Sequence, residues 1–162
     1  MRTTRRPAPK NEYERTVLHN VDTFGWHCTS VTRDDPGDDP PFTYTVGLFE
    51  TFGAPEMIVF GLGQDVAHSL LGIYARRLAE GDPIALDVPS TEIIADYACV
   101  FVPVARSRYL DYVFSALWFY GEAEFPVYQL VWPDPSGRFP WHPEAGRRFR
   151  SEQPVLGTHG GS

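Results

Sequence analysis

The stretch YTVGLFETFGAPEMIVFGL, residues 44–62, decides how this chain folds. Its first part continues an alternating run from Phe42. Phe42, Tyr44, Val46 and Leu48 fall on one face and Thr43, Thr45 and Gly47 on the other, as in a strand that lays one face on a core. Its last part, Met57 to Leu62, is apolar on both faces, the pattern of a central strand. ETFGAP makes the turn between them. Glu56 stands at the start of the central strand, where a carboxylate is costly unless it is used. Three roles suit it: general base, ligand-reading group, or polar edge of a turn. In the last role it reaches a backbone N–H of the turn or an arginine, with Arg138 the expected partner, and Glu56→Gln should cost little.

Working outward, WHCTSVTR from Trp26 reads as a strand that pairs antiparallel with the Phe42 strand across the acidic loop DDPGDDPP, residues 34–41. Upstream, Asn11 can cap a helix with Glu14 at N3, and Tyr13, Val17, Leu18, Val21 and Phe24 recur at helical spacing up to Gly25. This predicts a helix over Glu12–Phe24. Downstream, a second helix begins near Asp65, with Val66, Ala67, Leu70, Leu71, Tyr74 and Leu78 on its buried side and Gly81 at its end. A short strand is expected at Ile84–Val88, and another at 98–105, where Pro103 argues for an edge or a bulge. Ser107 caps a third long helix with an apolar stripe of Leu110, Val113, Phe114, Leu117 and Trp118. PVYQLVW, residues 126–132, is the last strand. The order predicts an α+β domain: a mixed, largely antiparallel sheet with about three helices packed on it. Tyr44, Val46, Leu48, Val59, Leu70, Val113 and Leu117 are expected to be buried together.

At 162 residues the chain suits one domain. The expected boundaries are a disordered basic tail over 1–10, the domain over 11–150, and a flexible tail over 151–162. Apolar residues make up 43 % and charged residues 22 %, which allows a real core. The net charge of −7 argues against duplex nucleic acid, whose phosphates demand clustered Lys and Arg. No apolar run is long enough to span a bilayer, and MRTTRRPAPK has no apolar segment behind it, so neither membrane nor export is expected. Cys28 and Cys99 lack metal-type spacing and suit a reducing cytoplasm, although a single disulfide stays possible.

Few constellations suggest chemistry. Gly61-Leu62-Gly63 precedes a helix as in a dinucleotide loop, but Val66 stands where the third glycine belongs, and Asp65 sits where a phosphate would. His19, His27, His68, His142 and His159 share no ligand spacing, so neither cofactor nor structural zinc is expected. There is no nucleophile elbow and no cysteine-nucleophile signature. More informative are the aromatics near strand ends and turns: Trp26, Tyr44, Tyr128, Trp132, Phe139 and Trp141, with Asp134 and Arg138 among the last. Such residues line a small-ligand pocket, form a protein interface, or brace the core.

DTFGWHCTSV, PFTYTVGLFETFGAPEMIVFGL, the Gly81-Asp82 pair and VYQLVWPDPSGRFPW together resemble the bacterial family known as domain of unknown function 4262 over about residues 12–145. In that family a histidine often precedes the Pro-Glu pair; here Ala54 stands there, which weakens any role resting on that histidine. The Pro-Glu, strand, helix and Gln-Leu pattern also resembles suppressor-of-fused-type domains. That second resemblance implies a protein-binding module whose bacterial versions partner toxins or regulators. The leading expectation is a cytoplasmic, non-catalytic protein-binding domain. The other is a small-molecule-binding or enzymatic accessory domain with an aromatic-lined pocket. Residues expected to contact a partner or ligand are Trp26, His27, Tyr44, Glu56, Trp132, Asp134, Arg138 and Trp141.

Overall fold

The computed structural model describes residues 6–32 and 40–158. The acidic loop at 34–39, the first five residues of the basic tail, and His159 with the last residues of the C-terminal tail lie outside them. Six strands form one mixed sheet: β1 (His27–Val31), β2 (Phe42–Val46), β3 (Glu56–Phe60), β4 (Ser90–Ile94), β5 (Tyr97–Pro103) and β6 (Val127–Val131). Their spatial order is β1-β2-β3-β6-β5-β4, and among the described residues only β3 and β6 run parallel. The hairpin read from Trp26 to Leu48 is present, with Cys28 opposite Thr45 and Thr29 opposite Tyr44.

The first helix, α1, spans Glu12–Phe24 as its spacing predicts. Asn11 accepts from the Glu14 amide at 2.8 Å, and the Gly25 amide donates to Val21 O at 2.9 Å. The 44–62 stretch holds more structure than a turn. A short helix, α2 (Leu48–Phe52), lies between β2 and β3. Gly47 makes the corner possible: its φ is +100°, and a Cβ there would meet Val21 at 2.9 Å. Leu48 thereby leaves the face it would occupy on a continued strand.

Helices cover both faces of the sheet. On one, α1 and α5 (Phe114–Tyr120) pack on Phe42, Tyr44, Val46, Ile58 and Phe60. On the other, α3 (Gln64–Ala79) buries Ala67, Leu70, Leu71 and Tyr74 against Met57, Val59, Phe101 and Leu130. The expected single core is therefore split by the sheet: Tyr44, Val46 and Val113 lie on the first side, Leu48, Val59 and Leu70 on the second, and Leu117 is only partly buried. No described helix is long and apolar enough to cross a membrane.

Several expectations need correction. Val66 is 52 % exposed, not part of the buried side of α3. The strand expected at Ile84–Val88 is absent: Pro83 and Pro89 bracket it and remove ladder donors, so the strand forms at Ser90–Ile94 instead. Pro103, by contrast, stands at a local edge as expected: it ends β5, opposite Tyr128 and past the residues that β4 pairs. Ser107 lies inside a 3₁₀ turn, Arg106–Arg108, and the third long helix is two pieces, α4 (Tyr109–Tyr112) and α5, broken at Val113. The Ser115 amide donates to the Tyr44 hydroxyl at 2.9 Å. The break shifts the helical phase. Tyr109, Tyr112, Ala116, Phe119 and Tyr120 turn inward, while Leu110 and Phe114 face solvent.

The segment beyond 150 also departs from a free tail. After α6 (Arg147–Glu152), Gln153 and Leu156 are buried against the sheet. Gln153 reads both backbone groups of Trp132, accepting from its N–H and donating to its C=O, each at 2.8 Å. Gln129, buried in β6, accepts from Leu156 N–H and donates to Pro154 O. These side-chain bonds satisfy backbone groups of Trp132, Pro154 and Leu156. At the other end, Arg6 of the basic tail is bonded to Asp22 and Glu50.

Candidate functional site

Glu56 is 1 % exposed. Its carboxylate accepts from the Thr45 hydroxyl (2.7 Å), the amides of Gly47 (3.0 Å), Leu48 (3.2 Å) and Phe49 (3.1 Å), and the Tyr120 hydroxyl. The three amides are the unpaired donors of the first turn of α2, so the carboxylate caps that helix from the neighbouring strand. Thr45 also accepts from Met57 N–H at 2.9 Å, which closes the ladder where β2 leaves the sheet. Burial pushes the carboxyl up from its ordinary value, while the bonds from Tyr120, Thr45 and the Phe49 and Leu48 amides pull it down. Tyr120 is pushed up by burial and by the Glu56 charge, so it keeps its proton and donates. Every partner is internal and no described cavity is lined by Glu56. This is a joint that locks α2 and α5 to the sheet, with no open position for a substrate.

Arg138 is not part of it. Its guanidinium stands 3.7 Å from Glu144, and Asp134 accepts from the Ser136 and Arg138 amides at 2.9 Å within its own turn. Trp141 stacks on Phe139 with centroids 5.2 Å apart. Tyr44 is buried in the core. Arg138, Asp134 and Tyr44 brace structure at separate places, while Trp141 also lines a cleft of about 440 Å³ with Pro140, Arg150 and Gln153.

Trp26 and His27 do meet in a cleft of about 340 Å³, shared with Asn20, Phe24, Cys28 and His68. The Asn20 amide donates to His27 Nδ1 at 3.0 Å, which leaves the hydrogen on Nε2, buried and unpaired among the described residues. Burial and the nearby His68 lower the His27 pKa, so the ring stays neutral. Burial pushes the Cys28 thiol up to about 12 and the Cys99 thiol up to about 11, so both keep their protons at neutral pH.

Trp132 lines a different cleft, of about 260 Å³, beyond the carboxyl ends of the parallel strands β3 and β6, the position where open α/β sheets take ligands. Its other walls are Leu62, Val66, Leu70, Ile94, Tyr97 and Pro133. The indole N–H is spent on Phe60 O at 2.8 Å, and the ring meets Phe149 of α6 edge-on at 5.3 Å. Among the described residues no carboxylate, histidine, thiol or basic side chain lines this cleft, and the Tyr97 phenol is its one titratable group. Its lining can hold an apolar group.

Of the eight expected contact residues, the structure brings Trp26 and His27 together in one cleft and Asp134 and Arg138 together in one turn, and it leaves Trp132 and Trp141 lining two separate clefts. A family model matches residues 20–146, most of the chain. The chain belongs to domain of unknown function 4262 (DUF4262). No curated protein and no solved structure matches it, so the resemblance to suppressor-of-fused-type domains gains no support. Within this DUF4262 domain, the residues that sequence reasoning missed are Thr45 and Tyr120, which complete the Glu56 joint. Neither left a trace: alternation set Thr45 on the face away from the expected core, and Tyr120 stands at a helix end.

Proposed function

We propose that this domain is a non-catalytic module that binds another protein by receiving an apolar side chain in the Trp132 cleft. The observation that carries this reading is the chemistry of the lining. Leu62, Val66, Leu70, Ile94, Tyr97, Trp132 and Pro133 offer apolar surface and no titratable group except the Tyr97 phenol. Val66 and Tyr97, at its rim, are 52 % and 37 % exposed. A pocket of this kind suits the anchor residue of a partner, since a few buried apolar and aromatic contacts dominate protein interfaces. Catalysis would need converging groups with tuned pKa values. The buried carboxylate, Glu56, is fully engaged elsewhere.

A photo-crosslinking amino acid placed at Tyr97 in the native cell tests the reading. The expected result is a discrete protein adduct that disappears when Val66→Asp is added. An adduct indifferent to Val66→Asp, or none, overturns it. So does stoichiometric recovery of a small apolar molecule from the purified domain, which supports the small-molecule alternative.

A further inference from the structure

We propose a second recognition site, for a guanidinium group, at the junction of α1, α2 and α5, which the chain closes in cis with its own Arg6. Three groups from three helices converge there: the carboxylates of Asp22 and Glu50 and the ring of Phe119. One terminal nitrogen of Arg6 bonds Asp22 at 2.7 Å, and the other bonds Glu50. The guanidinium carbon lies 4.8 Å from the Phe119 centroid. Two carboxylates beside an aromatic ring read the planar fork and the delocalised charge together, a demand that an ammonium meets poorly.

The backbone of Glu50 is positioned by bonds that do not involve Arg6. Glu50 is held by its own backbone, whose N–H donates to the Tyr120 hydroxyl at 3.2 Å. Tyr120 in turn donates to Glu56, the cap of α2. The Glu56 joint therefore fixes α2 against α5 and sets Glu50 beside Phe119, which neighbours Tyr120 in α5. Arg6 reaches this place from the segment ahead of α1. It is the lid, and the carboxylates and ring are the receptor. Release of the segment presents that receptor to an arginine side chain of a partner protein, which the net charge of −7 favours.

The site shares no residue with the Trp132 cleft, so its failure would leave the proposed function standing. The test uses the full chain, as wild type and as Arg6→Ala, with N-acetyl-arginine amide as probe and amide NMR shifts as readout. In Arg6→Ala, saturable shifts are expected at Asp22, Glu50 and Phe119. The wild type should bind at least about tenfold more weakly, because a tethered Arg6 competes at high effective concentration. Addition of Glu50→Gln to Arg6→Ala should abolish the response, and the corresponding lysine compound should bind more weakly than the arginine one. A folded Arg6→Ala chain without saturable shifts overturns the proposal. Equal binding by wild type and variant, or by arginine and lysine compounds, does the same. Should Arg6→Ala lose its dispersed spectrum, Arg6→Gln is judged by the same criteria.

Discussion

Tyr120 donates its phenolic hydrogen to Glu56 across 64 positions of sequence, inside the core. That bond joins the start of β3 to the end of α5, and the same carboxylate caps α2. An acid and a phenol so placed resemble a catalytic pair, yet neither has surface to offer a substrate. Their effect is on architecture: they fix the corner at which β2 leaves the sheet.

Replacement of Glu56 should therefore cost stability and no chemistry. Glu56→Ala leaves the donors of Thr45, Gly47, Leu48, Phe49 and Tyr120 without their shared acceptor and should destabilise by about 3 kcal/mol or more. Glu56→Gln is less mild than its sequence position suggests. Both carboxylate oxygens only accept, so the new amide nitrogen must face donors, at about 1–3 kcal/mol. Urea unfolding midpoints at constant slope measure both. A near-neutral Glu56→Gln would mean that the carboxylate is not held by this set.

The Tyr120–Glu56 link should also be non-additive. Tyr120→Phe deprives both the Glu50 amide and the Glu56 carboxylate of a partner. Combined with Glu56→Gln, it should show a coupling energy of about 0.5–3 kcal/mol in a double-mutant cycle. Simple addition of the single effects would mean that the two side chains do not bond in solution.

Much of the fold could be read from local pattern. Asn11, the helical spacing and Gly25 bounded α1, alternation placed the hairpin, and an apolar run on both faces placed the central strand. What could not be read were events that local pattern does not encode. A tyrosine from β2 takes the Ser115 amide and accompanies a change of phase at Val113, so Leu110 and Phe114 face solvent although their spacing looks like core. Gln153 and Gln129 anchor a C-terminal segment whose composition resembles a loose tail. The site followed the same division. Glu56 was conspicuous as a carboxylate at a buried strand start, but its role depended on Tyr120, and the Trp132 cleft on Val66 pointing away from the core.

The C-terminal anchor gives a further prediction. A Cβ on Gly157 would stand 1.8 Å from the Pro103 carbonyl oxygen, a backbone atom that cannot turn aside. Gly157→Ala should push the segment off the sheet, at about 1–3 kcal/mol, and admit proteases after Glu152. Limited proteolysis with mass spectrometry reads this directly. Equal resistance of variant and wild type would show that the segment is not docked there.

His27 should make the domain acid-sensitive. The ring is 7 % exposed, accepts from Asn20 and lies edge-on to Tyr13 with centroids 5.8 Å apart. From the facing helices come Asn20 and Tyr13 of α1 and His68 of α3, and no carboxylate lines the cleft to balance a charged imidazole. Burial first, and then His68, hold its pKa below the ordinary value of 6.5. Protonation therefore favours the unfolded chain, where the ring is free. The stability conferred by the neutral ring is complete above about pH 6.5, the unfolded value, and is lost as pH falls through the lower folded value. Urea midpoints should drop between pH 7 and pH 5. His27→Gln, which keeps a polar group beside Asn20 but cannot take a proton, should flatten that drop even if it lowers stability at every pH. An unchanged slope in His27→Gln would assign the acid sensitivity to another group.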